Sequence, residues 1–287
     1  MLIAVSPALG FGILYGLRTP MLYGALLAVM VASLGLGLVS GNLDLGLLTL
    51  QATGISAMLA EGSRRSWSGP VTLLACFAFL VWTFVLSIYL VAGADFVTWY
   101  NGLMDALGKE LESALRQYGQ ISGSEKELER WLPQLKKELT RLFPGFFGLS
   151  LAAISFVNVS VAALVTRLFW GKSCFVPNFE QWKFPEALVW FVIAAGALAL
   201  FGPGGYQNLG VNALYVIGFF YFIQGLAIAN FLIKKMRMPW YVKWPVYILI
   251  LIQWYGLLML ALGGLADVWI DFRARFEPEE NGDDRPD

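Results

Sequence analysis

Five polar side chains stand inside otherwise apolar stretches of this chain: Asn158, Asn212, Gln224, Gln253 and Asp267. An amide both donates and accepts hydrogen bonds, and a carboxylate accepts from several donors. In hydrocarbon such groups are costly, so they mark the places to look for function. Asn208, Asn212 and Asn230 fall on one face of a helix at about 100° per residue, with Gln224 well round from them. Gln253, Asp267 and Asp271 share a face of the next apolar stretch in the same way. If those faces meet, and Asn158 joins them, they enclose a hydrogen-bonding cavity suited to a small polar ligand. The plainer alternative is that the amides only tie helices together, each worth about 0.6 kcal/mol.

Asp267 and Asp271 lie one helical turn apart, a spacing at which two carboxylates can hold a metal ion that binds a diphosphate. The pattern resembles the second half of the CDP-alcohol phosphotransferase motif. Its first half, an upstream DxxDG followed by Ala-Arg, is missing, and Arg273 and Arg275 stand ready to neutralise both carboxylates. The chain has no histidine, which removes Ser/His and Cys/His nucleophile pairs, His-ligated haem and HExxH zinc sites. Its two cysteines, Cys76 in an apolar run and Cys174 in a loop, predict neither a metal site nor a disulfide. The Gly202–Gly205 turn lacks the Lys-Ser/Thr of a phosphate loop. The expectation is no catalytic residue, no metal and no cofactor, and hence not an enzyme.

The elements that would position these groups follow from composition. Of 287 residues, 58% are hydrophobic and 14% charged, against roughly 25% charged in soluble domains. Fifteen of the forty charges fall between Asp95 and Arg141 and eleven between Asp267 and the end, so the remaining sequence is suited to lipid. A soluble globular enzyme is excluded. The net charge of zero offers no general attraction to nucleic acid or anionic lipid, and no nucleic acid is expected as a partner.

Runs long enough to cross a bilayer predict an all-α polytopic bundle of about eight spans. They cover Met1–Leu17, Met21–Val39, Leu45–Ala60, Gly69–Gly93, Pro144–Trp170, a stretch from Pro185 to Gly202, Gln207–Ile233 and Pro245–Ile270. No cleavable signal or lipidation box is expected. Arg64, Arg65, Arg167, Lys172, Lys234 and Lys235 gather on one face, with an aromatic belt at Trp240, Tyr241, Trp244 and Tyr247. Weighting the short loops puts that face in the cytoplasm and both termini outside, in a multi-pass inner (cytoplasmic) membrane protein.

Between the fourth and fifth spans, Phe96, Tyr100, Leu103, Met104, Leu107, Leu111 and Leu115 repeat at helical spacing. Ser124 and Glu127 fit a capping box, and Leu128, Trp131, Leu132, Leu135, Leu139 and Leu142 form a second stripe, interrupted by Pro133. These predict an amphipathic helical pair outside the hydrocarbon, on the membrane surface or over the mouth of the bundle. The chain thus divides into a four-helix membrane region at 1–93, the pair at 94–143, a second four-helix region at 144–272 and an acidic disordered tail at 273–287.

Trp182-Lys183-Phe184-Pro185-Glu186, Asn208-Leu209-Gly210-Val211-Asn212, Phe222-Ile223-Gln224-Gly225 and Gly263-Gly264-Leu265-Ala266-Asp267, with Asp271-Phe272-Arg273, occur in that order. This order resembles the YybS-like family of predicted bacterial membrane proteins, grouped as a domain of unknown function. That family is distantly similar to the substrate-binding S components of energy-coupling-factor transporters and to the scaffold MreD. The resemblance implies a small-molecule-binding or transport-associated subunit in the lipid bilayer, docking on a membrane-protein partner through small residues such as Ala4 and Ala8. Eight spans instead of about six, and termini outside, depart from the S-component pattern. The alternative is a non-catalytic envelope scaffold that recruits protein partners through the Asp95–Arg141 helices.

Overall fold

The computed structural model describes residues 43–93, 95–122, 125–171, 178–236 and 252–276, with scattered positions between 28 and 41 and between 239 and 250. The predicted first span, most of the second and of the Trp240–Tyr247 belt, the Ser124 cap, Cys174 and the tail from Glu277 lie outside the described residues. The helices are α1 (Leu43–Arg64), α2 (Gly69–Ala92), α3 (Phe96–Ser122), α4 (Glu125–Trp170), α5 (Leu188–Phe201), α6 (Gly205–Lys235), α7 (Trp254–Ile270) and α8 (Phe272–Phe276). A single 3-10 turn, Phe179–Gln181, precedes α5, and no strand occurs among the described residues. The fold is therefore all-α, as composition and periodicity require. Segments Gly69–Leu90, Glu129–Phe169 and Gly205–Lys235 are long and apolar enough to cross a membrane, and α5 and α7 are shorter apolar helices. Large apolar side chains point outward along these helices, among them Trp82, Phe191, Phe201 and Met259. Such an exterior is tolerable only where the solvent is lipid.

Helix α6 is apolar on all sides, the pattern of a helix enclosed by others. It packs against α4, α5 and α7, while α2 joins α4 to α1. Glycine makes the α6–α7 crossing possible. A β-carbon on Gly225 would collide with the Leu260 carbonyl, and one on Gly264 with the Tyr221 carbonyl. Backbones at that distance exclude any larger residue. The apolar core lies between α1, α2, α4 and α6, with Leu59, Leu73, Cys76, Val159 and Ile223 buried there and Trp182 and Phe184 inserted from the loop. Cys76 is a buried thiol within this core.

Helix α4 is 46 residues long, about 69 Å, more than twice the roughly 30 Å of a hydrocarbon core. It runs without a break through Pro133 and Pro144. The predicted start of the fifth span at Pro144 thus lies within one helix, and so does the 143/144 division. Helix α3 folds back along its first half, with Met104 buried between them and Tyr100 against Phe143. The predicted amphipathic pair is accordingly a helical hairpin whose second arm continues into a span.

An ion pair holds the hairpin across its seam: Lys136 Nζ donates to Glu112 Oε2 at 2.8 Å, and Arg116 donates to Glu112 Oε1 at 2.8 Å. The Lys136 hydrogen bond, then that from Arg116, holds the Glu112 carboxyl below its ordinary 4.5. A depressed carboxyl stabilises the fold above its ordinary value, and that contribution is lost as pH falls through the depressed one. Spin labels at Ser113→Cys and Lys137→Cys should therefore report one narrow distance at pH 7 and a broadened one only well below the ordinary carboxyl value of 4.5. Glu112→Gln should broaden it at both pH values. A distance that stays narrow throughout would remove the ion pair from the account.

Candidate functional site

Asn212 projects from the start of α6 toward the point where Pro144 interrupts α4. Proline has no N–H to donate to the carbonyl four residues back, and its ring pushes that carbonyl aside. The Thr140 carbonyl so released accepts from the Tyr100 hydroxyl of α3 at 2.7 Å. One residue on, the Gly145 N–H donates to Asn212 Oδ1 at 2.9 Å, and Asn212 Nδ2 donates to the Arg141 carbonyl at 2.9 Å. Gly145 and Arg141 are the pair that an unbroken helix would bond to each other. The amide gives each of them a partner, and Nδ2 also donates to the Asn208 carbonyl at 2.8 Å. Gly145 is what allows this approach, because a β-carbon there would meet the Asn212 amide.

Gln224 and Asp267 meet across α6 and α7, through a residue that lies off the Asn208, Asn212 and Asn230 face. Gln224 Nε2 donates to Asp267 Oδ2 at 3.1 Å, and Gln224 Oε1 accepts from the Phe184 N–H at 2.9 Å. Asp267 Oδ2 also accepts from Arg273 at 3.3 Å, and Oδ1 accepts from the Phe272 N–H at 3.0 Å. Arg273 donates onward to the Trp182 carbonyl at 2.8 Å. Gln224 and Asp267 are wholly buried and Arg273 nearly so. This polar knot ties α6, α7, α8 and the Trp182–Phe184 strap together.

The other two residues singled out in the sequence lie apart. Asn158 is wholly buried on α4, where Nδ2 donates to the Ile154 carbonyl of its own helix at 2.9 Å. Gln253 is the extended residue before α7 (φ −91°, ψ 122°), so the helical count that put it on the face of Asp267 does not hold. Asp271 likewise leaves the helix, in a left-handed conformation (φ 45°, ψ 69°), and pairs with Lys183 at 3.2 Å. Each carboxylate of the Asp267–Asp271 pair thus has its own cation, and the described residues hold no cluster that could bind a metal.

A space for a ligand lies beside the knot instead. Between α4, α6 and the Phe179–Gln181 turn is an open groove of about 770 Å³. Phe156, Phe179 and Trp182 floor it, with Phe179 and Trp182 edge to face at 5.2 Å and Phe156 6.3 Å from each. Ser160, Arg167, Asn178 and Asn230 line it. At its mouth Lys234 donates to both oxygens of Glu180, at 3.1 and 3.0 Å. The knot supports this groove, because Arg273 and Gln224 hold the backbone on either side of Lys183 and so fix the Trp182 ring. None of the five candidate residues lines it. Ser160 and Arg167 on α4, and Leu226, Asn230 and Lys234 on α6, do recur at helical spacing, but only the pairing of the two helices makes one surface of them.

A family described as "Predicted membrane protein (DUF2232)" matches residues 4–268. "Uncharacterized protein YybS" of Bacillus subtilis (strain 168) is 23% identical over 259 residues, covering 83% of this chain and 81% of that protein. No solved structure matches. With almost the whole length matched, and a helical fold with an apolar exterior, the chain belongs to the DUF2232 family of predicted membrane proteins.

Proposed function

We propose that this membrane protein is a small-molecule-binding subunit, and that it holds its ligand in the groove between α4, α6 and the Phe179–Gln181 turn. One observation carries the reading: the 770 Å³ groove combines an aromatic floor with polar side chains at one end, the usual make-up of a ligand site. The buried amides serve it from behind by holding the strap in place. This assigns the binding role expected of an S-component-like subunit to residues other than Asn158, Asn212, Gln224, Gln253 and Asp267. Native mass spectrometry on protein extracted gently from its own membrane tests it. A stoichiometric small molecule should be present, should persist in Gln253→Ala, and should vanish from Leu226→Trp, which fills the groove. Protein that is empty, or a molecule retained by Leu226→Trp, would refute the reading.

The scaffold alternative is favoured by a separate observation. Trp131 and Leu135 lie one turn apart on the hairpin arm of α4, and both are exposed outside the predicted hydrocarbon. If that face recruits a partner, Trp131→Glu should strip a stoichiometric protein from the same extract while leaving groove occupancy unchanged.

A further inference from the structure

We infer that the groove takes an amphiphile with a phosphate head, the head at Arg167 and the apolar chain between α4 and α6; this rests on the reading that the groove is the binding site. Its two helical walls carry the same gradient. On α4 the lining runs from Phe156 through Ser160, Ala163 and Leu164 to Arg167, and on α6 from Leu226 through Asn230 to Lys234. The helices are parallel here, since Gly145 meets Asn212 near the start of α6 and Arg167 and Lys234 flank one mouth. Over about 16 Å along α4 and 12 Å along α6, each wall begins at an apolar residue and ends at a cation, with one hydroxyl or amide between. A uniformly polar molecule would strand its polar atoms against Phe156, Trp182 and Leu226. An elongated molecule that is apolar at one end and anionic at the other matches both walls.

The charge at the mouth narrows the head. Lys234 is paired with Glu180, whereas the Arg167 side chain is exposed and has no partner among the described residues. Arg167 and Lys234 against Glu180 leave one net positive charge, the complement of a monoanion. Guanidinium binds phosphate oxygens through paired hydrogen bonds. Ser160 lies about 10 Å along the helix from Arg167, beyond the reach of a lone carboxylate. The phosphodiester and ester oxygens of a lipid head spread acceptors over that distance.

Delipidated full-length protein in mild detergent, titrated in native mass spectrometry with dioleoylphosphatidylglycerol, dioleoylglycerol or inorganic phosphate, tests this. One phosphatidylglycerol should bind per chain, and Arg167→Gln should weaken it at least about tenfold, the loss of one charge-assisted contact. Arg64→Gln, at the same end of the bundle but outside the groove, should leave it unchanged. Dioleoylglycerol, which lacks the phosphate, should not bind at that stoichiometry. Undiminished binding by Arg167→Gln, an equal loss in Arg64→Gln, or equal binding of dioleoylglycerol would overturn the proposal. Tight binding of inorganic phosphate alone would identify a free-anion site and overturn it too. A co-purified molecule without phosphate that is lost from Leu226→Trp would end this inference and leave the groove reading standing.

Discussion

Asn212→Leu should destabilise this protein by about 2–4 kcal/mol, the cost of one buried and one half-buried backbone group left without partners. Leucine can neither accept from the Gly145 N–H nor donate to the Arg141 carbonyl. The helix cannot simply close over the gap, because the Pro144 ring stands against the carbonyl one turn back. The diagnostic result is the double variant. Pro144→Ala restores an N–H for Thr140 and lets α4 bond Gly145 to Arg141 by itself, so Pro144→Ala/Asn212→Leu should recover most of the loss. Thermal unfolding in detergent, followed by helical circular dichroism, would show the single variant melting well below wild type and the double variant near it. A double variant no more stable than Asn212→Leu would mean that the amide does something other than bridge the proline break. Tyr100→Phe removes the third prop of the same break, but at an exposed site where water replaces the hydroxyl, and its effect should be under about 1 kcal/mol.

Asn212 shows what could be read from the chain and what could not. Its rarity in an apolar stretch singled it out, and the structure places it buried against α4. Its role required knowing that α6 passes beside Pro144, sixty-eight residues earlier in sequence, and no periodicity carries that information. The helices were legible because a bilayer demands long apolar runs and amphipathic stripes have a fixed period. Predicted spans three to seven fall on α1, α2, the latter part of α4, α5 and α6, and the part of the eighth from Trp254 on α7. Gln253 failed as a member of a helical face for a local reason. A single extended residue resets the 100° count, and the sequence Ile252-Gln253-Trp254 carries no proline or glycine to announce it. The groove was least legible of all. Its walls are unremarkable one helix at a time, and the gradient from Phe156 to Arg167 acquires a meaning only beside the parallel gradient from Leu226 to Lys234.

The knot at Asp267 should give the larger response. Arg273→Met should destabilise the protein by about 3–5 kcal/mol, because it strands a wholly buried carboxylate without its cation. Asp267→Leu should be similarly severe, leaving the buried Arg273 charge without its counter-ion and Arg273 Nη1, Gln224 Nε2 and the Phe272 N–H without their acceptor. The pair is not expected to be stabilising in itself. Desolvating two charges roughly cancels their attraction, so Asp267→Leu/Arg273→Met should be milder than the sum of the single changes and milder than Arg273→Met alone. What the double variant cannot restore is the hydrogen bond that Arg273 makes to the Trp182 carbonyl. Its fold should survive while the Trp182 strap loosens, so groove occupancy should fall in a protein that still melts cooperatively. That separation of stability from binding distinguishes a supporting knot from mere packing. If the double variant regains wild-type melting and keeps its bound molecule, the strap holds its place without Arg273, and the link between knot and groove is lost.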